Sequence, residues 1–302
     1  MLNLFTCLVL PLTLLLGFSS CSNQSELGSR ENPIKLYFTP SVDAETIASN
    51  SQEFIKFLEA ETGYYFQSGI PTSYIAVVEA FGSGRADIAA MNSFGYLMAN
   101  SRYGAIAKLR VIRHGVDYYQ GQIVAHVDSG INTVADLEGK RFAFADPSST
   151  SGYMFPLKIL KEQNITLSNE TFAMKHDSVI TMIYQKQVDA GATYYSAPDS
   201  AGVIRDARAR VKTQFPDVEE KIKIITITEP IANDPFVFRK DLPEEVAQKF
   251  IAALRKFLAT EAGAKIFQDI YSVDGVVDAS DADYNPLRET LQTIGIEAAK
   301  FL

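Results

Sequence analysis

A hydroxyl-rich turn at residues 146–152, with the sequence DPSSTSG, holds the side chains best suited to binding chemistry. Ser149, Thr150 and Ser151 offer three consecutive hydroxyls between a predicted strand and a predicted helix. The start of that helix adds free backbone N–H groups and the positive end of the helix dipole. Together these donors suit a tetrahedral oxyanion, although an ordinary Ser/Thr helix cap after a proline turn would explain the same pattern.

Catalysis and metal binding are the competing interpretations of these residues. Ser149, His176 and Asp234 could form a hydrolytic triad, but the chain has no Gly-x-Ser-x-Gly elbow and no obvious base beside Ser149. His176 and Asp177 are adjacent and cannot share one helical face, and the three histidines of the chain are poorly spaced for a metal. We therefore expect no enzyme, no metal site and no cofactor.

The elements that must position these residues alternate between strand and helix patterns. Residues 34–38 form an apolar run typical of a strand, and a helix pattern follows around 50–62. Ser73 can cap a second helix, and residues 86–91 form the next strand. The same rhythm recurs from about residue 140. This βαβαβ order predicts an α/β fold with a mainly parallel sheet and helices on both faces.

The two halves also share an internal echo, because residues 74–93 align with 176–195 without gaps as helix, turn and strand. Tyr74 and His176 then begin equivalent helices, whereas Ser93 lies just after one strand and Tyr194 and Tyr195 follow the other. Ligands of open α/β sheets bind at the carboxyl ends of strands. If two such lobes face each other, these residues line one cleft.

The N-terminus is predicted to serve export. Residues 1–20 have no charged side chain and contain an apolar run of signal-peptide length, and small residues precede Cys21 as in a bacterial lipoprotein signal. Cys21 is therefore the predicted lipidation site, although the signal lacks a basic start and an ordinary cleaved signal or an uncleaved anchor is the alternative. Residues 21–33 are polar and are expected to form a flexible tether. The expected location is the periplasm or the outer face of the cytoplasmic membrane.

Composition excludes several classes of protein. With 47% hydrophobic and 21% charged residues, the 302-residue chain is globular rather than disordered, and its length suggests about two domains. A net charge of −8 without a basic cluster argues against nucleic acid as a partner. Cys7 and Cys21 are the only cysteines, so cleavage before Cys21 leaves no disulfide pair.

Several motifs together resemble the phosphate/phosphite/phosphonate family of ABC-importer substrate-binding proteins. The matching stretches follow the order of the family and span about residues 74–235. They are SYIAVVEA (73–80), GRADIA (84–89), DSGI (128–131), DLEGK (136–140), DPSSTSGY (146–153), HDSVI (176–180), VDAG (188–191) and NDP (233–235). The resemblance implies a type II periplasmic-binding-protein fold, with two αβ lobes joined by two crossing strands and closing on a ligand in the cleft between them.

The resemblance also implies roles for individual residues. Tyr74 would bond the phosphoryl group from lobe one. Ser149, Thr150 and Ser151 would grip its oxygens from lobe two, together with the helix N-terminus. His176 would add a further donor.

Two more residues are implied at the crossings between the lobes. Asp234, at the returning crossing, would meet a protonated ligand oxygen or a ligand amine, and Tyr119, at the first crossing, could contact the ligand. The chain departs from the family pattern at Gln120–Gly121, where many relatives have a small hydroxyl residue, and at Asn92–Ser93, which replaces Gly-Pro. These departures leave the ligand substituent open.

The resemblance leads to a division of the chain and to a function. Lobe one is expected to comprise residues 34–124 and 235–302, and lobe two residues 125–234. The pattern at 223–228 indicates a strand that returns to lobe one, and the charged segment 198–222 is expected to be a solvated outer helix or loop. The expected function is capture of a phosphorus oxyanion and its delivery to a permease and ATPase complex by a monomer. The alternatives are a nutrient or sensory receptor of the same fold for another small molecule and, less favoured, a serine hydrolase.

Overall fold

Two mixed β-sheets, each flanked by helices, make up the frame of the protein in the computed structural model, which describes residues 25–40 and 44–301. The strands of sheet one are β1 (Ile34–Phe38), β2 (Phe66–Gly69), β3 (Ile88–Ala90), β4 (Ile106–Ile112), β11 (Pro235–Phe238) and β12 (Gly275–Asp278), in the order β12-β4-β11-β3-β1-β2. The strands of sheet two are β5 (Tyr118–His126), β6 (Arg141–Phe144), β7 (Asn169–Phe172), β8 (Ala190–Tyr195), β9 (Ile222–Ile227) and β10 (Ile231–Ala232). Their order is β10-β5-β8-β6-β7, and β9 also pairs with β5.

Helices cover both faces of each sheet. In chain order they are α1 (Ala44–Thr62), α2 (Tyr74–Gly82), α3 (Ser93–Tyr103), α4 (Phe155–Glu162), α5 (His176–Tyr184), α6 (Val218–Lys221), α7 (Glu244–Leu258), α8 (Glu261–Tyr271) and α9 (Asn285–Thr293). Short 3₁₀ helices include Ala207–Val211, and a π-helical turn, Thr150–Met154, precedes α4. We call sheet one with its helices lobe one, and sheet two with its helices lobe two.

Apolar side chains fill the space between each sheet and its helices. Between sheet one and the helices α1, α7 and α8, the ring of Phe54 lies 5.1 Å from that of Phe257 and 5.0 Å from that of Phe267. The opposite face of sheet one packs on α2, α3 and α9, and this cluster also includes Met154 and Phe155 of lobe two. Sheet two is covered by α4 on one side and α5 on the other. The shared cluster joins the two lobes through buried apolar surface, which stabilises their contact.

The internal echo is confirmed at the level of strands and helices. In lobe one, β1 pairs in parallel with β2 and β3, and in lobe two β6 pairs in parallel with β7 and β8. Asp87, just before β3, accepts a 2.8 Å hydrogen bond from the backbone N–H of Lys35. Asp189, at the equivalent position before β8, accepts a 2.9 Å bond from the N–H of Arg141. Both aspartates therefore order the loop that leads into a central strand.

Two adjacent segments connect the lobes, at residues 113–117 and 233–234. The backbone N–H of Asn233 donates to the carbonyl of Asp117 at 3.0 Å, so the two segments run side by side. This arrangement confirms the predicted two-lobed fold with two crossings. The predicted boundary after residue 124 divides β5, all of whose pairing partners lie in sheet two, so the change of sheet occurs earlier in the chain.

Three expectations from the sequence are corrected. The sheets are mixed, because β4, β5, β11 and β12 pair antiparallel, and a βαβ rhythm predicts direction only for strands joined through a helix. The strand near 223–228 is β9, which pairs with β5 and stays in lobe two, since its pattern specifies a strand but not a partner. The predicted tether is structured on its domain side, because the N–H of Gly28 donates to Asn32 and the carbonyl of Gly28 accepts from Tyr65.

Candidate functional site

A cavity of about 90 Å³ lies between the two lobes, beside the crossings. It is small next to the ~300–1,000 Å³ typical of sites for drug-sized ligands, so it suits a compact molecule. Most residues that the sequence singled out line it. They are Tyr74, Tyr119, Ser149, Thr150, Ser151, His176, Tyr194 and Asp234.

Two residues named as possible contacts are not among those that line the cavity. Ser93 is buried, and its hydroxyl donates to the carbonyl of Ala232 at 2.7 Å, so it ties α3 to β10 next to the returning crossing. Tyr195 follows Tyr194 in β8, where successive side chains point to opposite faces of the sheet. Because Tyr194 lines the cavity, Tyr195 points away from it. The predicted lipidation site, Cys21, lies outside the described residues.

The hydroxyl-rich turn is held so that two of its hydroxyl groups keep a hydrogen to donate. The Ser149 Oγ caps the π-helical turn and accepts from the backbone N–H of Gly152 at 3.1 Å. The Thr150 Oγ1 accepts from the N–H of Phe94 at 3.0 Å and from the Asn92 amide at 3.3 Å, both in lobe one. Since these bonds use the acceptor side of each oxygen, each O–H group keeps its hydrogen to donate, and that of Thr150 lies beside the Tyr119 hydroxyl. All three hydroxyl residues of the turn are almost fully buried.

Two tyrosines face this turn as neutral donors. Burial raises the pKa of Tyr74 well above its usual value, and the nearby carboxylates of Asp146 and Asp234 add to the effect. Burial also raises the pKa of Tyr119, and the hydroxyls of Thr150 and Ser151 beside it offset this only in part. Both phenols therefore keep their proton at physiological pH and can donate it in a hydrogen bond.

His176 begins α5 and is neutral in this environment. Burial lowers its pKa to about 4, and the positive charge of Arg210 adds to this shift. Its ring packs edge-on against Tyr194, with centroids 5.1 Å apart, and its Nδ1 is buried without a hydrogen-bond partner among the described residues. A Cβ at Gly152 would lie 3.0 Å from the ring and 2.6 Å from the Cβ of Ala145. Glycine at this position is therefore required for the turn and the imidazole to approach each other.

Asp234 lies at the returning crossing and is already paired. Its Oδ2 accepts from the Arg113 guanidinium at 2.7 Å. Its Oδ1 is buried and has no hydrogen-bond partner in the described part of the chain. The carboxylate is thus neutralised as a charge but keeps one acceptor position, which a hydrogen on a ligand can satisfy.

The cavity is also lined by three arginines that the sequence did not single out. Arg113 comes from the first crossing, Arg205 precedes the 3₁₀ helix Ala207–Val211, and Arg210 lies within that helix. Residues 198–222 were expected to be a solvated outer helix or loop, and much of the segment is exposed, but Arg205 and Arg210 also line the cavity. The resemblance pointed to none of the three, and only the charge run at 205–210 could have signalled two of them.

The geometry does not support the hydrolytic triad that the sequence offered as an alternative. The carboxylate of Asp234 pairs with Arg113 rather than with His176, so the hydrogen-bonded chain that a hydrolytic triad needs is not formed. Within residues 25–40 and 44–301, no group of three or more His, Cys, Asp or Glu side chains could hold a metal ion. Over those same ranges no helix is both long and apolar enough to cross a bilayer.

Proteins with similar sequence point to one family. The sequence profile of the family described as "ABC transporter, phosphonate, periplasmic substrate-binding protein" matches residues 36–284. The phosphate-import protein PhnD of Mycolicibacterium smegmatis is 26% identical over 294 residues, which cover 88% of this chain and 87% of that protein. The phosphonates-binding periplasmic protein of Escherichia coli is 23% identical over 248 residues, with 80% and 70% covered.

A solved structure shows the same fold. The binding-protein component of an ABC phosphonate transporter from Pseudomonas aeruginosa superposes with a TM-score of 0.76 at 20% identity, covering 87% of each chain. The match of the family profile over most of the chain, together with the two-lobed fold, confirms the resemblance seen in the sequence. The protein belongs to the family of periplasmic substrate-binding proteins of phosphonate ABC transporters, and it is the substrate-binding component of an importer rather than an enzyme.

Proposed function

We propose that the interlobe cavity binds a phosphorus oxyanion, namely a phosphonate, phosphite or phosphate. The observation that carries this proposal is the geometry of the turn, where the oxygens of Ser149 and Thr150 already accept bonds and their O–H groups are left to donate. Arginines on the cavity wall favour an anion despite the net charge of the chain, because distant charges are screened over about 10 Å. One relative is named for importing phosphate and the other for binding phosphonates, and these names support the same class of ligand.

Site residues of both lobes then contact the same phosphoryl group. Tyr74 donates to the phosphoryl group from lobe one. Ser149, Thr150 and Ser151 donate from lobe two, with the first N–H groups of the π-helical turn. Neutral His176 supplies a further contact beside them. Since both lobes contact one group, binding favours the closed arrangement, which is the form that a permease would recognise.

Asp234 is proposed to distinguish a ligand that carries a P–OH group from a fully ionised anion. Its unpartnered Oδ1 can accept from a P–OH group, whereas a fully ionised anion would place a lone pair against it. Phosphate, phosphite and methylphosphonate each keep such a hydrogen in their monoanions, and sulfate does not at neutral pH. Rejection of sulfate therefore follows from the proposed role of Asp234.

Calorimetric titration of the purified protein with phosphite, phosphate, methylphosphonate and sulfate tests the proposal. We expect one-to-one binding of at least one phosphorus oxyanion and little or no binding of sulfate. Ser151→Ala should weaken that binding about tenfold or more, since a hydrogen bond to a charged group is worth ~1.5–3 kcal/mol. Ser178→Ala, a serine on α5 outside the cavity lining, is the matched control. If none of the three phosphorus oxyanions binds measurably, the proposed ligand class is wrong.

Two finer features of the protein are part of the same proposal. Lobe one comprises residues 25–112 and 235–301 and lobe two residues 118–232, and the lobes close about the two crossings between them. Cys21 follows a cleaved signal over 1–20 and carries the lipid that anchors a monomer to the membrane. Mass spectrometry of the N-terminal peptide from a membrane extract tests the anchor, and an unmodified Cys21 would rule it out.

A further inference from the structure

Arg205 and Arg210 occupy one side of the cavity, and the proposed binding of a phosphoryl group makes no use of them. Arg210 donates to the Tyr194 hydroxyl and, across the cleft, to the Ser272 hydroxyl of lobe one, each at 3.3 Å. Arg205 also lines the cavity, and its charge and that of Arg210 both act on His114. The two arginines therefore give the wall of the cavity a cationic surface.

The segment that carries these arginines is anchored in the protein interior. Asp206 is fully buried and forms a two-point ion pair with Arg208, with bonds of 3.0 and 2.8 Å. Arg208 also donates to the carbonyl of Ile222 at 3.0 Å, which fixes the segment to β9. Because Asp206 and Arg208 are held in this way, the backbone of the segment that carries Arg205 and Arg210 is fixed at the cavity.

The protein compensates the charge on this side of the cavity only in part, at Arg205, and Arg210 is exposed. Arg113 is paired with Asp234, but Arg210 has no carboxylate within 4.0 Å in the described part of the chain. Arg205 reaches only Asp199, at 4.0 Å, and that carboxylate also accepts from two backbone N–H groups. Asp274, the other carboxylate near His114, accepts from the N–H of Gly115.

We propose that the natural ligand carries a second acidic group, a carboxylate separated from the phosphoryl group by a short carbon chain, and that Arg205 and Arg210 bind it. The inference rests on the proposed function, in which the turn at 149–151 holds the phosphoryl group. The small cavity limits the ligand to a few carbon atoms. A phosphonocarboxylate such as phosphonoacetate has this chemistry, and a guanidinium matches the planar geometry of its carboxylate.

The same arrangement disfavours an ammonium-bearing ligand. Asp234 could have received an amine, as the sequence allowed, but the Arg113 guanidinium already balances its charge at 2.7 Å. An ammonium group would then face the Arg210 guanidinium, which has no carboxylate partner in the described part of the chain, and that of Arg205, which has only the distant Asp199. Like charges brought together in a partly buried site cost binding free energy, so the site selects against the amine.

Calorimetric titration with a matched ligand series tests this inference. The series is phosphonoacetate, ethylphosphonate, 2-aminoethylphosphonate and methylphosphonate, which differ mainly in the charge of the substituent. We expect phosphonoacetate to bind about tenfold or more tightly than ethylphosphonate, and 2-aminoethylphosphonate to bind more weakly than both. Arg205→Gln and Arg210→Gln should each reduce the affinity for phosphonoacetate about tenfold and change that for ethylphosphonate less than about threefold.

Arg255→Gln provides the control, because Arg255 is an exposed arginine on α7 that pairs with Asp278 away from the cavity. It should change neither affinity. Tightest binding of 2-aminoethylphosphonate, or an equal loss of phosphonoacetate and ethylphosphonate in the cavity variants, would overturn the inference, since equal losses mean only general attraction of anions. If methylphosphonate binds but the series shows no preference, only this inference fails. If no phosphonate or phosphate binds, the proposed function fails with it.

Discussion

His176 shows, at the scale of one residue, how burial in the site couples protonation to the stability of the folded protein. A histidine that is neutral and buried in the folded protein must release its proton on folding whenever the pH lies below its ordinary pKa of about 6.5. The folded pKa of about 4 places this coupling between pH 6.5 and 4. Stability from this group is therefore complete above pH 6.5 and is lost as the pH falls toward 4.

The first prediction concerns this pH dependence. Between pH 7 and 4.5, the free energy of unfolding of the wild type should fall by about 2–3 kcal/mol more than that of His176→Gln. Urea unfolding of both proteins across this range measures the difference. His114→Gln is the control, because His114 is less buried and its pKa is lowered less, so its removal should alter the profile only slightly. Parallel profiles for the wild type and His176→Gln would mean that the folded protein does not keep His176 neutral.

At the scale of elements, the paired aspartates define the equivalent βαβ units of the two lobes. Asp87 accepts from the N–H of Lys35 and, at 2.7 Å, from the Nε of Arg239, and it is almost fully buried. It stands at the start of β3, whereas the cavity lies beyond the end of that strand, at Asn92. Its contribution should therefore be to the stability of lobe one and not to ligand binding.

The second prediction compares two carboxylates that share one arginine. Asp87→Ala should lower the free energy of unfolding by about 1–3 kcal/mol, because it leaves a backbone N–H and a guanidinium without their buried acceptor. Asp241→Ala removes the exposed partner of Arg239 and should cost less than about 1 kcal/mol. Urea unfolding measures both, and titration should find ligand affinity unchanged in both. Equal costs for the two variants would contradict the role assigned to Asp87.

The elements also show what sequence can and cannot specify. Apolar periodicity and the Ser73 cap located α2, and the echo placed Tyr74 and His176 at equivalent helix starts, because these signals are local. The partner of β9 and the antiparallel direction of β11 depend on contacts between distant segments and were not predictable in this way. The direction of the Ser93 side chain was not predictable for a related reason, since helix α3 begins at that residue and its hydroxyl donates to the carbonyl of Ala232 in β10.

At the scale of the whole molecule, hydrogen bonds between the lobes surround the cavity. The N–H of Phe94 and the amide of Asn92, both in lobe one, donate to Thr150 and to the carbonyl of Ser148 in lobe two. Arg210 reaches Ser272 across the cleft. Thr150 was predicted as a ligand contact from its place in the hydroxyl run, and its second role as a clasp between lobes could emerge only from their approach. A ligand must enter while these contacts are open, and their closure then excludes water from the site.

A crystal structure of the protein with methylphosphonate is the most direct measurement of the central claim, that the two lobes together hold a phosphoryl group. We predict phosphonate oxygens within ~3.2 Å of the hydroxyls of Ser149 and Ser151 in lobe two and of Tyr74 in lobe one, with a P–OH group on Asp234 Oδ1. Methylphosphonate bound outside the cavity, or held by residues of one lobe alone, would contradict the account.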